Sequence, residues 1–295
     1  STMAAEAANY PFCTIEPNTG RVGVPDPRLD ALARIGRSAK VIPTQLEFVD
    51  IAGLVRGASR GEGLGNQFLA NIREVDAILH VLRCFEGEVT HVDGTVDPVR
   101  DADTVETELM LADIESLDRQ YDAAVKRARG QDREAKARME IIDRIRPVLA
   151  EGRPARTVPR TAEEAPAFRA LMLLTDKPVL YVCNVEEEAA AGGNALTARV
   201  AEMAAAQGAG HVVISARIEE ELAQLPAEDA ALFLSEMGLD EPGLDRLIRA
   251  GYALLGLQTY FTVGPKEARA WTIRKGTLAP QAAGVIHGDF EKGFI

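Results

Sequence analysis

LEFVDIAGLVRGASRGEGLG, at residues 46–65, joins a strand pattern to a glycine-rich loop. The apolar residues before Asp50 predict a short strand that delivers this carboxylate to its carboxyl end, and Gly53 follows three residues later. Open α/β sheets bind ligands at that edge. A carboxylate there can hold Mg²⁺, and a glycine lets its backbone N–H approach a phosphate. The stretch therefore predicts a phosphate-sensing turn, with an ordinary surface loop after a core strand as the alternative.

Length and composition limit the class of protein. The chain has 295 residues, 46% of them hydrophobic, and three cysteines without metal-ligand spacing. It contains no apolar run of the roughly 20 residues that a membrane span needs, and its start has no secretory or transit pattern. These features predict a cytoplasmic protein of two or three folding units, with reduced thiols and no membrane partner.

The net charge of −12 argues against a globally basic nucleic-acid binder, and DNA is not an expected partner. The charge is unevenly distributed. Residues 119–160 contain 12 Lys or Arg and 6 Asp or Glu, a net +6, so the rest of the chain carries −18. A basic projection on an acidic body could contact a phosphate backbone, although charged outer faces often serve solubility alone.

Apolar runs at 77–83, 179–183 and 212–214 alternate with helical patterns. This alternation predicts a doubly wound, mostly parallel sheet. Between the first two runs, two helical patterns meet at Gly130, which predicts an inserted antiparallel helical hairpin. We predict a division into three parts, which are an α/β domain (1–100 and 175–250), the hairpin insertion (101–174) and a C-terminal module (251–295).

Two other predicted strands end in polar residues. The run 181–187, YVCNVEE, brings Asn184 and Glu187 to a strand end, and 211–216, HVVISA, brings Ser215 and Ala216 to another. Either pair alone is unremarkable. Because carboxyl ends of parallel strands share one edge, we expect them near Asp50, in a crevice with the phosphates beside Asp50 and the base beside Asn184 and Ser215.

Six motifs are distinctive, which are TIEPN (14–18), DIAGL (50–54), GEGLGNQFLANIRE (61–74), RCFEG (83–87), NVEE (184–187) and SARIEEEL (215–222). Together they resemble the YchF-type ATPases, which are Obg-related members of the translation-factor class of P-loop NTPases. The resemblance covers almost the whole chain, and from Gly256 onwards it is to the opening of that family's TGS domain, a β-grasp module that would here be partial.

The resemblance implies a nucleotide site with Mg²⁺ as cofactor. Thr14 and Asp50 would contact the metal ion, although Thr14 read by itself is an ordinary turn residue. Asp50 and Gly53 would sense the terminal phosphate. The base would lie against residues from three strand ends, which are Phe85, Asn184, Val185, Glu187, Ser215 and Ala216. Core packing is the alternative role for the aromatic ring.

Two departures from the guanine-binding pattern stand out. Related GTPases have Asn-Lys-x-Asp, whose Asp accepts two hydrogen bonds from guanine. Here Val185 replaces the Lys and Glu187 replaces the Asp, so the family resemblance implies ATP rather than GTP as substrate. Leu54 stands where Ras-like enzymes have a water-orienting glutamine. By the same resemblance His91 is the candidate catalytic residue, while a surface role is the alternative.

The phosphate loop, Gly-x-x-x-x-Gly-Lys-Ser/Thr, does not occur in this sequence. Taken literally, the sequence predicts weak nucleotide binding and little hydrolysis, even if the parent protein is an ATPase. Ser1-Thr2 is either the stump of that loop or an unrelated remnant.

Two other functions remain open. Residues 57–61, GASRG, match the Gly-x-Ser-x-Gly pattern of α/β-hydrolases, but the serine lies in a loop nine residues after Asp50 rather than on a strand-to-helix turn. The stronger rival is a non-catalytic adaptor that binds RNA or the ribosome with a silent nucleotide site. The favoured prediction is a ribosome-associated ATPase switch, which binds the ribosome or ribosomal RNA through the basic hairpin and the TGS module.

Overall fold

The computed structural model describes residues 18–51, 64–86, 96–130 and 132–295. The strands in these ranges are β1 (Asn18–Gly23), β2 (Val41–Ile42), β3 (Gln45–Asp50), β4 (Ile78–Arg83), β5 (Val179–Asn184), β6 (Gly210–Ile214), β7 (Leu257–Val263) and β8 (Ala268–Arg274). The helices are α1 (Pro27–Gly36), α2 (Leu64–Glu74), α3 (Pro98–Ala128), α4 (Arg133–Ala150), α5 (Ala165–Arg169), α6 (Ala195–Ala206), α7 (Ala216–Leu222), α8 (Ala227–Glu236), α9 (Gly243–Leu254), α10 (Ala279–Ile286) and α11 (Gly288–Lys292). None of these helices combines the length and the apolar composition that crossing a bilayer requires.

The parallel sheet β4–β5–β6 is the centre of the α/β fold. Its middle strand, β5, is buried on both faces, because Tyr181 packs with α3 and α6 while Leu180 packs with α9. The predicted doubly wound α/β fold is thus confirmed. On β4, Leu79 packs into the α9 cluster but Val81, two residues further on, is 62% exposed. Among the described strands β4 is at the edge of this sheet, and it is less buried than its apolar sequence predicts.

Strands β1 and β3 form an antiparallel ribbon, and among the described residues neither pairs with the parallel sheet. The register pairs Asn18 with Asp50 at one end and Gly23 with Gln45 at the other. Buried Leu46 packs against α9, so the strand predicted to end at Asp50 is confirmed and held by its apolar side.

Helices α3 and α4 form the predicted antiparallel hairpin. Its interior contains Leu117, Ile142 and Ile145, none of which is exposed to solvent. At the tip the Asp132 carboxylate caps α4 by accepting from the N–H of Ala135, and it also pairs with Arg127 at 2.7 Å. The cap begins α4 directly after the turn predicted at Gly130.

The C-terminal strands β7 and β8 form an antiparallel hairpin that is joined by β2 from the N-terminal part of the chain. β2 runs parallel to β8, with Val41 opposite Ala268 and Ile42 opposite Arg269. The sequence predicted a separate C-terminal module but gave no indication of this additional strand. Residues 27–42 are therefore packed with the C-terminal sheet, although they lie between β1 and β3 in the chain.

Two buried polar groups attach the helical insertion to the sheet. The Asp113 carboxylate on α3 is 1% exposed and accepts from the N–H groups of Leu174 and Thr175, both at 2.8 Å, and from the Thr175 hydroxyl at 2.7 Å. Arg156 donates to Glu106 of α3 at 2.8 Å and to Gln207 beyond α6 at 3.1 Å. Because these groups are buried and bonded, they fix the insertion in one position relative to β5.

We expect Asp113→Asn to lower the free energy of unfolding at pH 7 by about 2–3 kcal/mol, because the amide turns a donor toward buried N–H groups. Burial raises the pKa of Asp113 to about 6, against the lowering effect of its hydrogen bonds. The folded protein then binds this proton more tightly than the unfolded chain. The contribution of Asp113 to stability should therefore be full below about pH 4 and fall as the pH rises through about 6.

Urea unfolding between pH 4 and 7 checks both statements, and Asp118→Asn is the control. Asp118 lies on the same helix but is exposed and pairs with Arg146, so its replacement should change stability by less than about 1 kcal/mol. Parallel pH curves for the wild type and Asp113→Asn would contradict the pH assignment.

Candidate functional site

The register of the parallel sheet brings three strand ends to one edge. Arg83 of β4 pairs with Asn184 of β5, and Asn184 pairs with Ile214 of β6. The residues that follow these pairs, Phe85 and Ser215 among them, leave the sheet on the same side. This is the edge at which an open α/β sheet binds ligands.

Asn184 connects the three strand ends. Its backbone oxygen accepts from the N–H of Cys84 at 2.8 Å, and its side-chain Oδ1 accepts from the N–H of Ala216 at 2.9 Å. Within the described part of the chain, the Nδ2 group of Asn184 has no acceptor. The bond from Ala216 fixes the orientation of the amide, so its two N–H donors remain for a ligand at the edge.

Ser215 has a buried hydroxyl with no hydrogen-bond partner among the described residues. The residue is 2% exposed, and it precedes α7 without capping that helix through its side chain. An unsatisfied buried hydroxyl costs about 1–3 kcal/mol, so native structures usually give it a partner. A ligand atom beside Asn184 would supply one.

Glu187 is engaged in an ion pair that the sequence did not indicate. Its Oε1 lies 2.7 Å from Nε of Arg217, a residue of α7 that we had not singled out. The available signal was the position of Arg217, two residues after Ser215.

Val185, in contrast, is 3% exposed and faces the core, and its N–H donates to the oxygen of Ile214 at 2.9 Å. A contact from Val185 to a ligand would have to use its carbonyl oxygen.

Phe85 follows β4 and is half-buried. The Arg83 guanidinium lies 4.8 Å from the centre of its ring, and Arg83 Nε donates to the Phe85 oxygen at 3.1 Å. One face of the ring is thus covered by a cation, a favourable arrangement for an aromatic ring.

Asn194 supports the segment that follows β4, a role that the sequence did not indicate. Its Nδ2 donates to the Cys84 oxygen at 2.7 Å, while its Oδ1 caps α6.

Two thiols and an imidazole lie beneath this edge. Cys84, which directly follows β4, and Cys183 of β5 are free, buried thiols. A hydrogen bond with Cys183, together with burial, raises the pKa of Cys84. Burial, with a smaller effect of the Arg156 charge, lowers the pKa of His80 to about 4, so this imidazole is neutral at pH 7.

Asp50 lies at the end of the β1–β3 ribbon and is exposed. The described hydrogen bonds bring Asn184, Ser215 and Ala216 together but do not connect them to Asp50, so their convergence with Asp50 stays a prediction. Thr14, Gly53 and His91 lie outside the described residues.

The Asp50 carboxylate and the Thr14 hydroxyl, which the resemblance assigns to the metal ion, are hard oxygen donors of the kind that Mg²⁺ prefers. The described ranges contain no group of three His, Cys, Asp or Glu side chains placed to hold a metal ion. Mg²⁺ is usually held by one or two protein ligands together with substrate phosphates.

A family model described as "50S ribosome-binding GTPase" matches residues 1–114. Together with the parallel sheet that has helices on both faces, this match places the chain in the GTPase-like class of α/β proteins. A second, YchF-GTPase_C, described as "Protein of unknown function (DUF933)", matches residues 257–295.

The comparisons with individual proteins identify the family. The chain is 56% identical over 291 residues to the "Ribosome-binding ATPase YchF" of Haemophilus influenzae, covering 98% of this chain and 80% of the relative. It is 50% identical over 294 residues to the protein of the same name from Bacillus subtilis, covering 99% and 80%. A solved structure, "Structure of the Schizosaccharomyces pombe YchF GTPase", superimposes with a TM-score of 0.83 at 39% identity, covering 98% of this chain and 79% of that one. The chain belongs to the YchF family.

Proposed function

We propose that this protein binds and hydrolyses ATP in preference to GTP, with Mg²⁺ as cofactor, and acts in the cytoplasm as a nucleotide-dependent switch at the ribosome. The observation that carries the proposal is the edge formed by Asn184, Ser215 and Ala216. It offers amide donors and a buried hydroxyl that has no partner in the described ranges, both at the carboxyl end of a parallel sheet. Relatives named "Ribosome-binding ATPase" support both the reaction and the partner.

The edge can hold adenine through groups that have no partner among the described residues. Adenine presents an acceptor at N7 and a donor at N6. The Nδ2 donors of Asn184 can meet such an acceptor, and the Ser215 hydroxyl can either donate or accept. Phe85 can add stacking on the ring face that Arg83 does not cover.

The same edge lacks the group that guanine needs. Guanine presents adjacent N–H donors, so its recognition requires a free carboxylate that can accept two hydrogen bonds. Glu187 is the carboxylate at that position, and Arg217 already occupies its Oε1. A preference for ATP therefore follows from the loss of a guanine acceptor rather than from a gain specific to adenine.

The remaining roles rest on the family resemblance. Asp50 and Thr14 would hold Mg²⁺, which offsets phosphate charge when bound, and Gly53 would approach the terminal phosphate. His91 would orient the attacking water in place of the missing glutamine. The domains would be an α/β part (1–100 and 175–250), the hairpin (101–174) and a TGS module that begins in residues 251–295.

Titration of fluorescent ATP and GTP, each with Mg²⁺, tests the proposed reaction. Two chains are compared, the present one and one extended upstream of Ser1, since the phosphate loop is not in this sequence. We expect the extended chain to bind ATP at least tenfold more tightly than GTP and to release phosphate only with Mg²⁺. Tight binding without hydrolysis would favour the adaptor, and equal affinity for both nucleotides would contradict the proposed specificity.

Glu187→Asp tests the origin of the preference. The shorter side chain should lose its contact with Arg217 and leave its carboxylate free for guanine. We expect the ratio of ATP to GTP affinity to move toward GTP by about tenfold, equivalent to about 1.4 kcal/mol. Glu188→Asp makes the same change at the exposed neighbouring position and should leave the ratio unchanged. An unaltered ratio in Glu187→Asp would remove Glu187 from the specificity argument.

We further propose that ribosomal RNA contacts the tip of the α3–α4 hairpin. The tip contains three arginines, Arg127, Arg129 and Arg133, whereas the chain as a whole has a net charge of −12. Asp132 partly neutralises Arg127. Arg129 and Arg133 form no ion pair within the described ranges, so their charges are available for phosphate groups.

The double change Arg129→Glu and Arg133→Glu should weaken binding to 50S subunits at least tenfold and flatten the dependence of log affinity on log salt, because phosphate contacts release counterions. The matched control is Arg169→Glu on α5, another exposed arginine without an ion pair in the described ranges. Affinity can be measured by sedimentation at several salt concentrations. If all variants bind like the wild type, the hairpin tip is not the contact.

A further inference from the structure

The end of α1 and the β7–β8 turn are joined by several contacts, which we call the clasp. The Ser38 hydroxyl donates to the Gly264 oxygen at 2.7 Å, and the N–H of Ala39 donates to the Pro265 oxygen at 3.0 Å. The N–H of Ala268 then donates to the Lys40 oxygen at 2.9 Å, immediately before β2 joins β8. The clasp therefore consists of specific backbone pairing rather than loose contact.

Packing reinforces these hydrogen bonds. Leu29 and Ala33 of α1 are buried against Ala268 and Ala270 of β8, with Phe261 of β7 beside them. The Arg28 guanidinium lies over the Phe261 ring, 5.1 Å from its centre. α1 is therefore part of the C-terminal sheet's own core.

The β1–β3 ribbon connects the clasp to the candidate nucleotide site. At one end, Gly23 and Gln45 lead into the segment that forms α1 and β2. At the other end, Asn18 lies opposite Asp50. Six paired residues span roughly 17 Å, so a movement of the ribbon at one end displaces the other. The paired ribbon can transmit such a movement because two hydrogen-bonded strands occupy discrete registers and do not deform gradually.

Helix α9 packs against the ribbon around Leu46 and also touches the C-terminal sheet. Ile248 and Tyr252 of α9 pack with Leu46 of β3. The Tyr252 hydroxyl donates to the Gln258 oxygen at 3.2 Å and also lies within hydrogen-bond distance of Thr272, at 3.1 Å. The ribbon thus contacts the C-terminal sheet by two routes, through the clasp and through α9.

From this geometry we propose that the β1–β3 ribbon couples the C-terminal sheet to the candidate nucleotide site, so that loosening the clasp changes nucleotide affinity at Asp50. The inference rests on the proposed nucleotide site for one end of the ribbon. Coupling is reciprocal, so nucleotide binding must alter the clasp by the same free energy. A macromolecule that binds the C-terminal module would then report on, and bias, the nucleotide state without contacting the site.

Gly36, the last residue of α1, offers a way to open the clasp without touching the site. A Cβ at Gly36 would lie 2.4 Å from Cγ1 of Val263, so Gly36→Ala wedges α1 away from β7. Val263→Ala removes the closest obstructing atom and should largely rescue the variant, since the next atom, Ser38 Oγ, lies 3.1 Å from that Cβ. The matched control is Gly264→Ala, which adds the same methyl group in the same turn, where a Cβ meets nothing within 4 Å.

The coupling is tested in the chain extended upstream of Ser1. Two quantities are measured, the affinity for fluorescent ATP and the hydrogen exchange of backbone amides. Gly36→Ala should speed exchange at Ala268, which reports the clasp, and at β3, which reports the ribbon. It should also shift ATP affinity at least fivefold, the lower end of typical coupling. Gly264→Ala and the double variant Gly36→Ala, Val263→Ala should stay within twofold of the wild type.

The coupling is overturned if Ala268 exchanges faster while β3 exchange and ATP affinity stay at wild-type values. If Gly36→Ala does not fold, Ser38→Ala removes one clasp hydrogen bond more gently and the same comparison applies. Failure of the wild-type extended chain to bind ATP would refute the proposed function instead. The exchange of β3 in the clasp variants would still show whether the ribbon responds.

Discussion

The parallel hydrogen bonds of β5 with β4 and β6 determine the geometry of the candidate site, because they set which residues reach the carboxyl edge together. Asn184 stands at that edge with Arg83 on one side and Ile214 on the other. Side chains alternate along a strand, so a slip by one residue would turn Asn184 to the opposite face and place Cys183 at the edge. Burial of β5 on both faces makes such a slip costly, since it would exchange the side chains that pack α6 with those that pack α9.

The parts of this fold that the sequence predicted are those with local, repeating patterns. Uninterrupted apolar residues indicated β5, and helical spacing around Gly130 indicated the hairpin. Polar residues at strand ends correctly placed Asn184 beside Ser215. Such reasoning had no means of finding β2, because a strand of two residues has no period and its partner is far along the chain.

The candidate site could be predicted in its residue types but not in its pairing. The motif indicated that Glu187 replaces an aspartate, yet the ion pair with Arg217 depends on the position of α7 relative to the end of β5. The inward orientation of Val185 likewise follows from core packing rather than from the motif. Tertiary contacts determine which of the predicted site side chains remain available to hydrogen-bond a ligand. Specificity for a ligand depends on those available groups.

The hairpin and the sheet are joined by polar groups that are largely buried. Arg156, which pairs with Glu106 of α3, donates to Gln207 beyond α6. Asp113 accepts from the N–H groups of Leu174 and Thr175, which lie just before β5. Polar groups that find these partners in one arrangement disfavour the arrangements in which the partners are lost. The hairpin therefore projects from the sheet in a defined direction, which keeps its basic tip at a fixed distance from the strand ends.

The pairing of β2 with β8 has a consequence for synthesis of the chain. Val41 pairs with Ala268, which lies 227 residues further along the sequence. At about 5–20 residues per second, the N-terminal strand waits roughly 10–45 s after translation before its partner exists. During this interval the apolar side of α1, with Leu29 and Ala33, has no β8 to cover it. The nascent protein thus exposes a hydrophobic surface from early in synthesis until β8 has been made. Chaperones bind growing polypeptides in this situation.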